Sequence, residues 1–177
     1  MNSIEKGTFY VVATPIGNLQ DITYRAVSIL SSADVILAED TRMTAKLLTN
    51  LNIRGDQKLI SCHDFNEESR VEYVKELLGN DNSIALVSDA GTPLISDPGY
   101  KIVASLRNGG YKVVPVPGVS ALITALSAAG LPSDSFLFKG FLSAKQAKRQ
   151  QQIRDLQLAN ATVIIYESVH RLSLIHI

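Results

Sequence analysis

Short runs of almost purely apolar residues recur along the chain, and a longer stretch of mixed polarity follows each one. In the first two thirds of the sequence, the runs cover residues 9–13, 35–38, 58–62, 84–87 and 112–116. The stretches between them carry apolar residues at helical spacing over residues 22–30, 44–51, 67–78 and 100–107. A strand that is apolar on both faces must be covered on both faces, as in a parallel sheet between helices. The pattern therefore predicts an α/β fold with a mostly parallel sheet.

A proline-rich segment at residues 115–118 interrupts this pattern. Beyond it, the sequence predicts helices over 119–129 and 144–158, and strands over 136–140 and 162–166. The composition, with 46% hydrophobic and 19% charged residues, is that of a folded chain. We therefore predict a first α/β domain over residues 1–117 and the start of a second, incomplete mixed α/β domain over residues 118–171.

The last six residues, 172–177, have an unusual sequence. Leu-Ser-Leu-Ile-His-Ile matches the in-frame translation of a transposase adapter that is used to prepare sequencing libraries. We therefore expect this tail to be non-native and the natural chain to continue with the remainder of the second domain. Resequencing the locus tests this expectation, and a genuine stop codon after Ile177 would contradict it.

Charge and cysteine content limit the class of protein. The 17 basic and 17 acidic residues give a formal net charge of zero, whereas dedicated non-specific nucleic-acid binders are usually basic. Any RNA contact is therefore expected to be local. The single cysteine, Cys62, excludes an internal disulfide and predicts a buried core residue. Because no signal peptide, membrane-length apolar run or metal-ligand spacing is present, we expect a cytoplasmic protein without a metal site.

Three loops after predicted strands combine glycine, proline and small residues, and ligands bind at this end of a parallel sheet. Residues 14–18 include Pro15 and Gly17, where the backbone can approach a ligand or simply make a tight turn. Residues 88–99 offer Asp89 to a ligand cation or hydroxyl group. In the same loop, Asp97 before Pro98 predicts a helix cap. Residues 116–121 suit either a flat ligand or a tightly packed hinge.

Two further segments place a carboxylate near an arginine after a predicted strand. The first contains Glu39, Asp40 and Arg42, and the second contains Glu167 and Arg171 beside Tyr166. Such pairs are candidates for acid–base chemistry and phosphate binding. The alternative for each is a salt bridge at a helix start.

Together, and in this order, these segments resemble those of enzymes in the tetrapyrrole-methylase superfamily that methylate a cytidine 2′-hydroxyl in 16S ribosomal RNA. The resemblance runs almost to Arg171 and is most specific in residues 88–99. It implies a two-domain α/β fold, a homodimer, and S-adenosylmethionine in an interdomain cleft. It also implies a set of cofactor-binding residues, namely Pro15, Gly17, Ser88, Asp89, Ala90, Ser120, Ala121, Tyr166 and Glu167.

The same resemblance implies an enzyme whose partner is 16S rRNA in the small ribosomal subunit. The candidate catalytic residues are Glu39, Asp40 and Glu167 as proton acceptors, with Arg42 and Arg171 for phosphate contacts. The chain departs from the family pattern by having Ser143 and Val169 where proline is usual, which puts loop rigidity in doubt. The basic residues of the helix at 144–158 either contact RNA or form a solvated face; they are Lys145, Lys148, Arg149 and Arg154.

Three alternatives to this function stay open from the sequence. The first is methylation of a tetrapyrrole or another small molecule in the same cleft. The second is a module that binds S-adenosylmethionine without catalysis. The third is an inactive, aggregation-prone fragment, because a split domain exposes apolar surface and sheet edges.

Overall fold

A computed structural model of the chain describes residues 4–63, 66–168 and 171. The chain divides into two compact units, Met1–Ser120 and Ala121–Ile177. The predicted domain ranges, 1–117 and 118–171, remain predictions, and the predicted adapter-derived tail at 172–177 lies outside the described residues.

The first unit contains a five-stranded sheet in which each strand runs parallel to its neighbours. The strand order is β3-β2-β4-β1-β5. Its strands are β1 (Thr8–Val12), β2 (Val35–Ala38), β3 (Lys58–Ser61), β4 (Ile84–Val87) and β5 (Lys112–Val116). Its helices are α1 (Tyr24–Ser32), α2 (Thr41–Asn50), α3 (Glu67–Gly79) and α4 (Tyr100–Asn108), with a short 3-10 helix at Leu19–Asp21. The predicted α/β fold is confirmed.

Helices cover both faces of this sheet, and its central strands β2 and β4 are accordingly apolar and buried at every position. On one face, Ala85 and Val87 of β4 join a cluster that includes Leu30 of α1 and Leu48 of α2. On the other face, a second cluster draws on α3 and α4, with Ile84, Leu86, Val74, Leu78, Ile102 and Leu106. Burying each such side chain fully contributes about 1.5–3 kcal/mol. The predicted burial of Cys62 is also confirmed, since it lies in the second cluster.

The second unit contains α5 (Ala121–Ala128), β6 (Phe136–Phe141), α6 (Gln146–Leu156) and β7 (Thr162–Tyr166). Strands β6 and β7 pair in parallel, with an irregularity between Phe138 and Gly140. Tyr166 packs edge-on against Phe138, with ring centroids 4.8 Å apart. Its hydroxyl accepts a hydrogen bond from the backbone N–H of Leu122 at 3.1 Å, which ties β7 to the start of α5.

Every strand and long helix expected from the sequence is present, but the starts of α1, α2, α5 and α6 differ by two or three residues from the expected ones. Helix α2 begins at Thr41, before the expected residue 44, because Asp40 caps it and accepts a hydrogen bond from the backbone N–H of Arg42. The prediction that Asp97 caps α4 is wrong. That helix begins at Tyr100, and its N-cap position is occupied by Gly99, which has no side chain to serve as a cap.

Candidate functional site

The loops that follow β1, β2 and β4 emerge side by side, because these strands are neighbours in the order β2-β4-β1. In an open parallel sheet, ligands bind outside the carboxyl ends of such strands. The segments that the sequence marked at residues 14–18, 39–42 and 88–99 therefore share one edge of the sheet.

Thr14 joins the first of these loops to the third. Its backbone N–H donates to the Gly91 carbonyl at 2.9 Å, and the Gly91 N–H donates back to the Thr14 carbonyl at 3.0 Å. The Thr14 hydroxyl donates to the Ser88 carbonyl at 3.1 Å. Since Thr14 is only 1% exposed, these hydrogen bonds are shielded from water and fix the two loops to each other.

The loop at residues 88–99 has an unusual backbone. Positive φ angles occur at Gly91 (94°), Leu94 (73°), Ser96 (68°) and Gly99 (123°). For Leu94, which has a bulky side chain, this conformation is strained, and such strain concentrates at functional sites. The Leu94 side chain packs against the second core cluster, which holds the loop down.

Asp40 and Arg42, after β2, form a local pair at the start of α2. The Arg42 guanidinium donates to both carboxylate oxygens of Asp40, from Nε at 3.0 Å and from Nη2 at 2.6 Å. These hydrogen bonds lower the pKa of Asp40 to about 2. The backbone N–H of Asp40 donates to Oδ1 of Asp89 at 3.1 Å, which links the loop after β2 to the loop after β4.

A cavity of about 320 Å³ opens beside these loops, near the small end of ligand sites. Four residues expected to bind a cofactor line it: Pro15, Gly17, Ser88 and Asp89. The lining does not include Ala90, Glu39, Asp40 or Arg42.

The other wall of this cavity escaped the sequence analysis. It is formed by Leu19 and by one face of α2, namely Met43, Thr44, Lys46, Leu47 and Asn50. Positions 43, 46, 47 and 50 recur at helical spacing and so lie on one side of the helix. The sequence spacing therefore predicts that these residues share one face of α2, but it does not predict that this face borders the cavity.

Glu167 and Arg171 lie in the second unit and are bound to each other. Arg171 donates to both Glu167 carboxylate oxygens, at 2.8 and 2.7 Å, and also to the Leu142 carbonyl at 3.0 Å. The Glu167 side chain is only 3% exposed, whereas that of Arg171 is 29% exposed. The hydrogen bond from Arg171 lowers the pKa of Glu167.

Arg149 departs from both sequence interpretations of the basic residues on α6. It is 5% exposed, so it is neither an open RNA contact nor part of a solvated face. Its Nη1 donates to the carbonyls of Ser143 and Ala144, at 3.2 and 3.1 Å. Lys145, Lys148 and Arg154 are exposed. Val169, where the family pattern has proline, lies outside the described residues.

Two of the remaining predicted cofactor residues, Ser120 and Ala121, lie at the boundary between the two units in the sequence. Ser120 ends the first unit and Ala121 begins the second. In the first unit, the segment before them packs closely, because a Cβ on Gly118 would lie 2.8 Å from the Cβ of Ala13. Tyr166 belongs to the second unit, where its hydroxyl binds the first turn of α5.

No helix in the described part of the chain is long and apolar enough to cross a membrane. Within residues 4–63, 66–168 and 171, no group of three or more His, Cys, Asp or Glu side chains is arranged to hold a metal ion.

The fold and this strand-end site define a class of protein. The family model of the Tetrapyrrole (Corrin/Porphyrin) Methylases matches residues 8–176. The chain therefore belongs to that family.

Within the family, the chain is similar in sequence to proteins named Ribosomal RNA small subunit methyltransferase I. It is 54% identical to the one from Vibrio cholerae, over 92% of this chain and 56% of that protein. It is 51% identical to the one from Escherichia coli O157:H7, over 94% of this chain and 58% of that protein. The chain thus spans little more than half the length of these curated relatives.

Solved structures agree on the fold. The uroporphyrin-III-C-methyltransferase of Thermus thermophilus matches with a TM-score of 0.65 and 23% identity, over 96% of this chain and 71% of that one. A diphthine synthase matches with a TM-score of 0.69 and 14% identity, over 92% of this chain and 65% of that one. At these identities the likeness concerns the fold alone.

Proposed function

We propose that the protein is an S-adenosylmethionine-dependent methyltransferase that modifies the 2′-hydroxyl of a cytidine in 16S ribosomal RNA. The observation that carries this proposal is the cavity at the ends of β1 and β4, where Pro15, Gly17, Ser88 and Asp89 meet. The relatives that are about half identical over most of the chain support rRNA as the substrate.

The residues at the cavity fit a cationic cofactor with an apolar part. The exposed Asp89 carboxylate can face a positive charge, and Pro15 and Leu47 offer apolar surface. S-adenosylmethionine, when bound, supplies a methyl group on a positively charged sulfur. In this proposal Pro15, Gly17, Ser88, Asp89 and Ala90 hold it from the first unit. The remaining cofactor contacts come from Ser120, Ala121 and Tyr166.

The proposed role of the protein in methyl transfer is alignment of the acceptor with the donor, together with removal of one proton. Alignment alone can contribute roughly 7–11 kcal/mol at best, and a general base about 10²–10⁴-fold in rate. Asp40 is a poor base because the Arg42 hydrogen bonds lower its pKa to about 2. Glu167 is nearly inaccessible and bound to Arg171, so we assign it a structural role. Glu39 stays a proposed proton acceptor on the family resemblance; it follows β2 and does not line the cavity.

Of the two arginines expected to contact phosphate, we keep this role for Arg42 alone. Arg42 has a side chain that is 88% exposed and can approach RNA even while it binds Asp40. Arg171 is occupied by Glu167 and the Leu142 carbonyl, so we propose a structural role for it. The family resemblance also leads us to propose that the protein is a homodimer and acts in the cytoplasm. Sedimentation equilibrium tests the dimer.

The first experiment is calorimetric titration of S-adenosylmethionine and S-adenosylhomocysteine into this chain and into a longer chain carrying the C-terminal region of the relatives. Binding to the longer chain is the expected result. Transfer of a labelled methyl group to purified small ribosomal subunits, followed by nucleoside mass spectrometry, then identifies the product. If neither folded chain binds either compound, the methyltransferase proposal is wrong.

A second candidate, methylation of a tetrapyrrole, is favoured by the description of the matched family. The same longer chain decides between them when it is offered uroporphyrinogen III and small ribosomal subunits in parallel. Turnover of the tetrapyrrole without labelling of RNA would favour the second candidate.

A further inference from the structure

The N-cap residue of helix α4 provides no side-chain cap. Its N-cap position is Gly99, with φ of 123°, and no side chain there binds the helix. A Cβ at this position would lie 2.6 Å from Cδ2 of Leu86 and 3.1 Å from Cδ1 of Leu94. Serine, threonine, aspartate and asparagine, the usual capping residues, are therefore excluded by both space and backbone angle.

Glu67 supplies the missing cap from α3. Its Oε1 accepts hydrogen bonds from the backbone N–H groups of Lys101 and Ile102, at 2.5 and 3.2 Å. The residue is 5% exposed, so a buried carboxylate binds two N–H groups of the first turn of α4. It also lies in the first turn of its own helix, and a negative charge is favoured at the positive end of both helices.

The cap holds one end of the strained loop at residues 88–99. The other end is fixed by β4 and by the paired hydrogen bonds between Thr14 and Gly91. Between these anchors, Leu94 and Ser96 keep positive φ angles. Such angles persist only where the surroundings over-determine them. If the α4 end were released, Leu94 could relax to negative φ and leave the core.

We propose that Glu67 is a positioning residue for the cofactor loop, which it holds in its binding conformation by capping α4. This inference rests on the proposed function, because Ser88 and Asp89 at the β4 end of the loop line the cavity. Ser88 is joined to the segment that the cap holds by the hydrogen bond from its hydroxyl to the Gly91 carbonyl at 3.4 Å. Glu67 acts through the backbone of α4.

The test compares three variants of the longer, cofactor-binding chain. Glu67→Asp keeps the charge but is one methylene too short to reach both N–H groups. Glu67→Gln loses the charge but keeps an acceptor oxygen at the same reach. Glu68→Asp is the matched control, because Glu68 is the adjacent residue and its side chain forms an exposed ion pair with Lys101.

Calorimetry of S-adenosylhomocysteine, under conditions where circular dichroism shows each variant folded, gives the dissociation constant. We expect Glu67→Asp to weaken binding roughly tenfold, because the binding-competent loop is less populated. We expect Glu67→Gln to stay within about threefold of the parent chain and Glu68→Asp to match it. Hydrogen exchange at residues 88–102 should accelerate in Glu67→Asp alone.

Several outcomes would overturn the inference. An unchanged dissociation constant in Glu67→Asp with a lowered melting temperature makes Glu67 merely structural. If the parent chain binds no cofactor, the proposed function fails. Hydrogen exchange then decides the inference separately, and unchanged exchange in Glu67→Asp would refute it.

Discussion

Two strand-end regions carry the same pair of residue types and use them differently. After β2, Arg42 is 88% exposed and its partner Asp40 touches the loop that lines the cavity. After β7, Glu167 is 3% exposed, and its partner Arg171 binds back to the Leu142 carbonyl. The first pair lies beside an open cavity, and the second is a largely buried pair that we assign a structural role. A carboxylate close to an arginine in sequence therefore does not by itself mark a catalytic group.

The largest effect of a single substitution is expected at the open cavity. Asp89→Ala in the longer chain should weaken S-adenosylmethionine binding by roughly 10–100-fold, since a charged partner is lost. Calorimetry measures the affinity. Asp81→Ala is the control, because Asp81 is exposed and lies outside the cavity lining. Equal affinity in Asp89→Ala and the parent chain would remove Asp89 from the cofactor site.

Removing the charge of the buried pair should lower the stability of the fold. Glu167→Gln removes the negative charge that Arg171 binds directly and that Arg149 also faces. We expect the melting temperature to fall by several degrees, because the guanidinium groups lose their shared counter-charge. Differential scanning calorimetry measures this. A loss of about 10²–10⁴-fold in kcat with an unchanged melting temperature would instead make Glu167 a general base.

A smaller effect should come from the α2 wall of the cavity. Lys46 is the lysine that lines it, and we expect it to contact an RNA phosphate. Lys46→Ala should raise KM for small ribosomal subunits roughly fivefold and reduce the salt dependence of binding, while leaving cofactor affinity unchanged.

Methyl-transfer kinetics at two salt concentrations measure both effects of Lys46→Ala. Lys139→Ala is the control, since Lys139 is an exposed lysine on β6. A KM that rises equally in both variants would point to general charge loss.

The smallest effect concerns the pH dependence of Asp40. Its folded pKa of about 2 lies below the unfolded value of about 3.9. The stability that this group contributes is therefore present above about pH 4 and is lost as the pH falls towards 2. Urea unfolding between those limits should show a shallower pH dependence in Asp40→Asn than in the parent chain. An identical slope would mean that the Arg42 pair does not persist in solution.

The sequence determined the elements of the fold closely. Strands β2, β4, β5 and β7 begin and end where the apolar runs do. Burial on both faces leaves a continuous apolar signal along each strand, and helical spacing is equally local. The sequence also located one wall of the candidate site, because Pro15, Gly17, Ser88 and Asp89 lie in the loops that follow strands with this signal.

The tertiary structure decided what depends on contacts between distant residues. The prediction of an N-cap at Asp97 is wrong because α4 begins only at Tyr100, with Gly99 at its N-cap, and Glu67 binds its first turn from 34 residues away. The α2 wall of the cavity follows only from the strand order β2-β4-β1, which brings α2 and the loops after β1 and β4 to one site. Likewise, the two carboxylate–arginine pairs look alike in the sequence. Packing alone leaves Arg42 open to solvent and buries Glu167, because exposure is set by neighbours that sequence spacing does not specify.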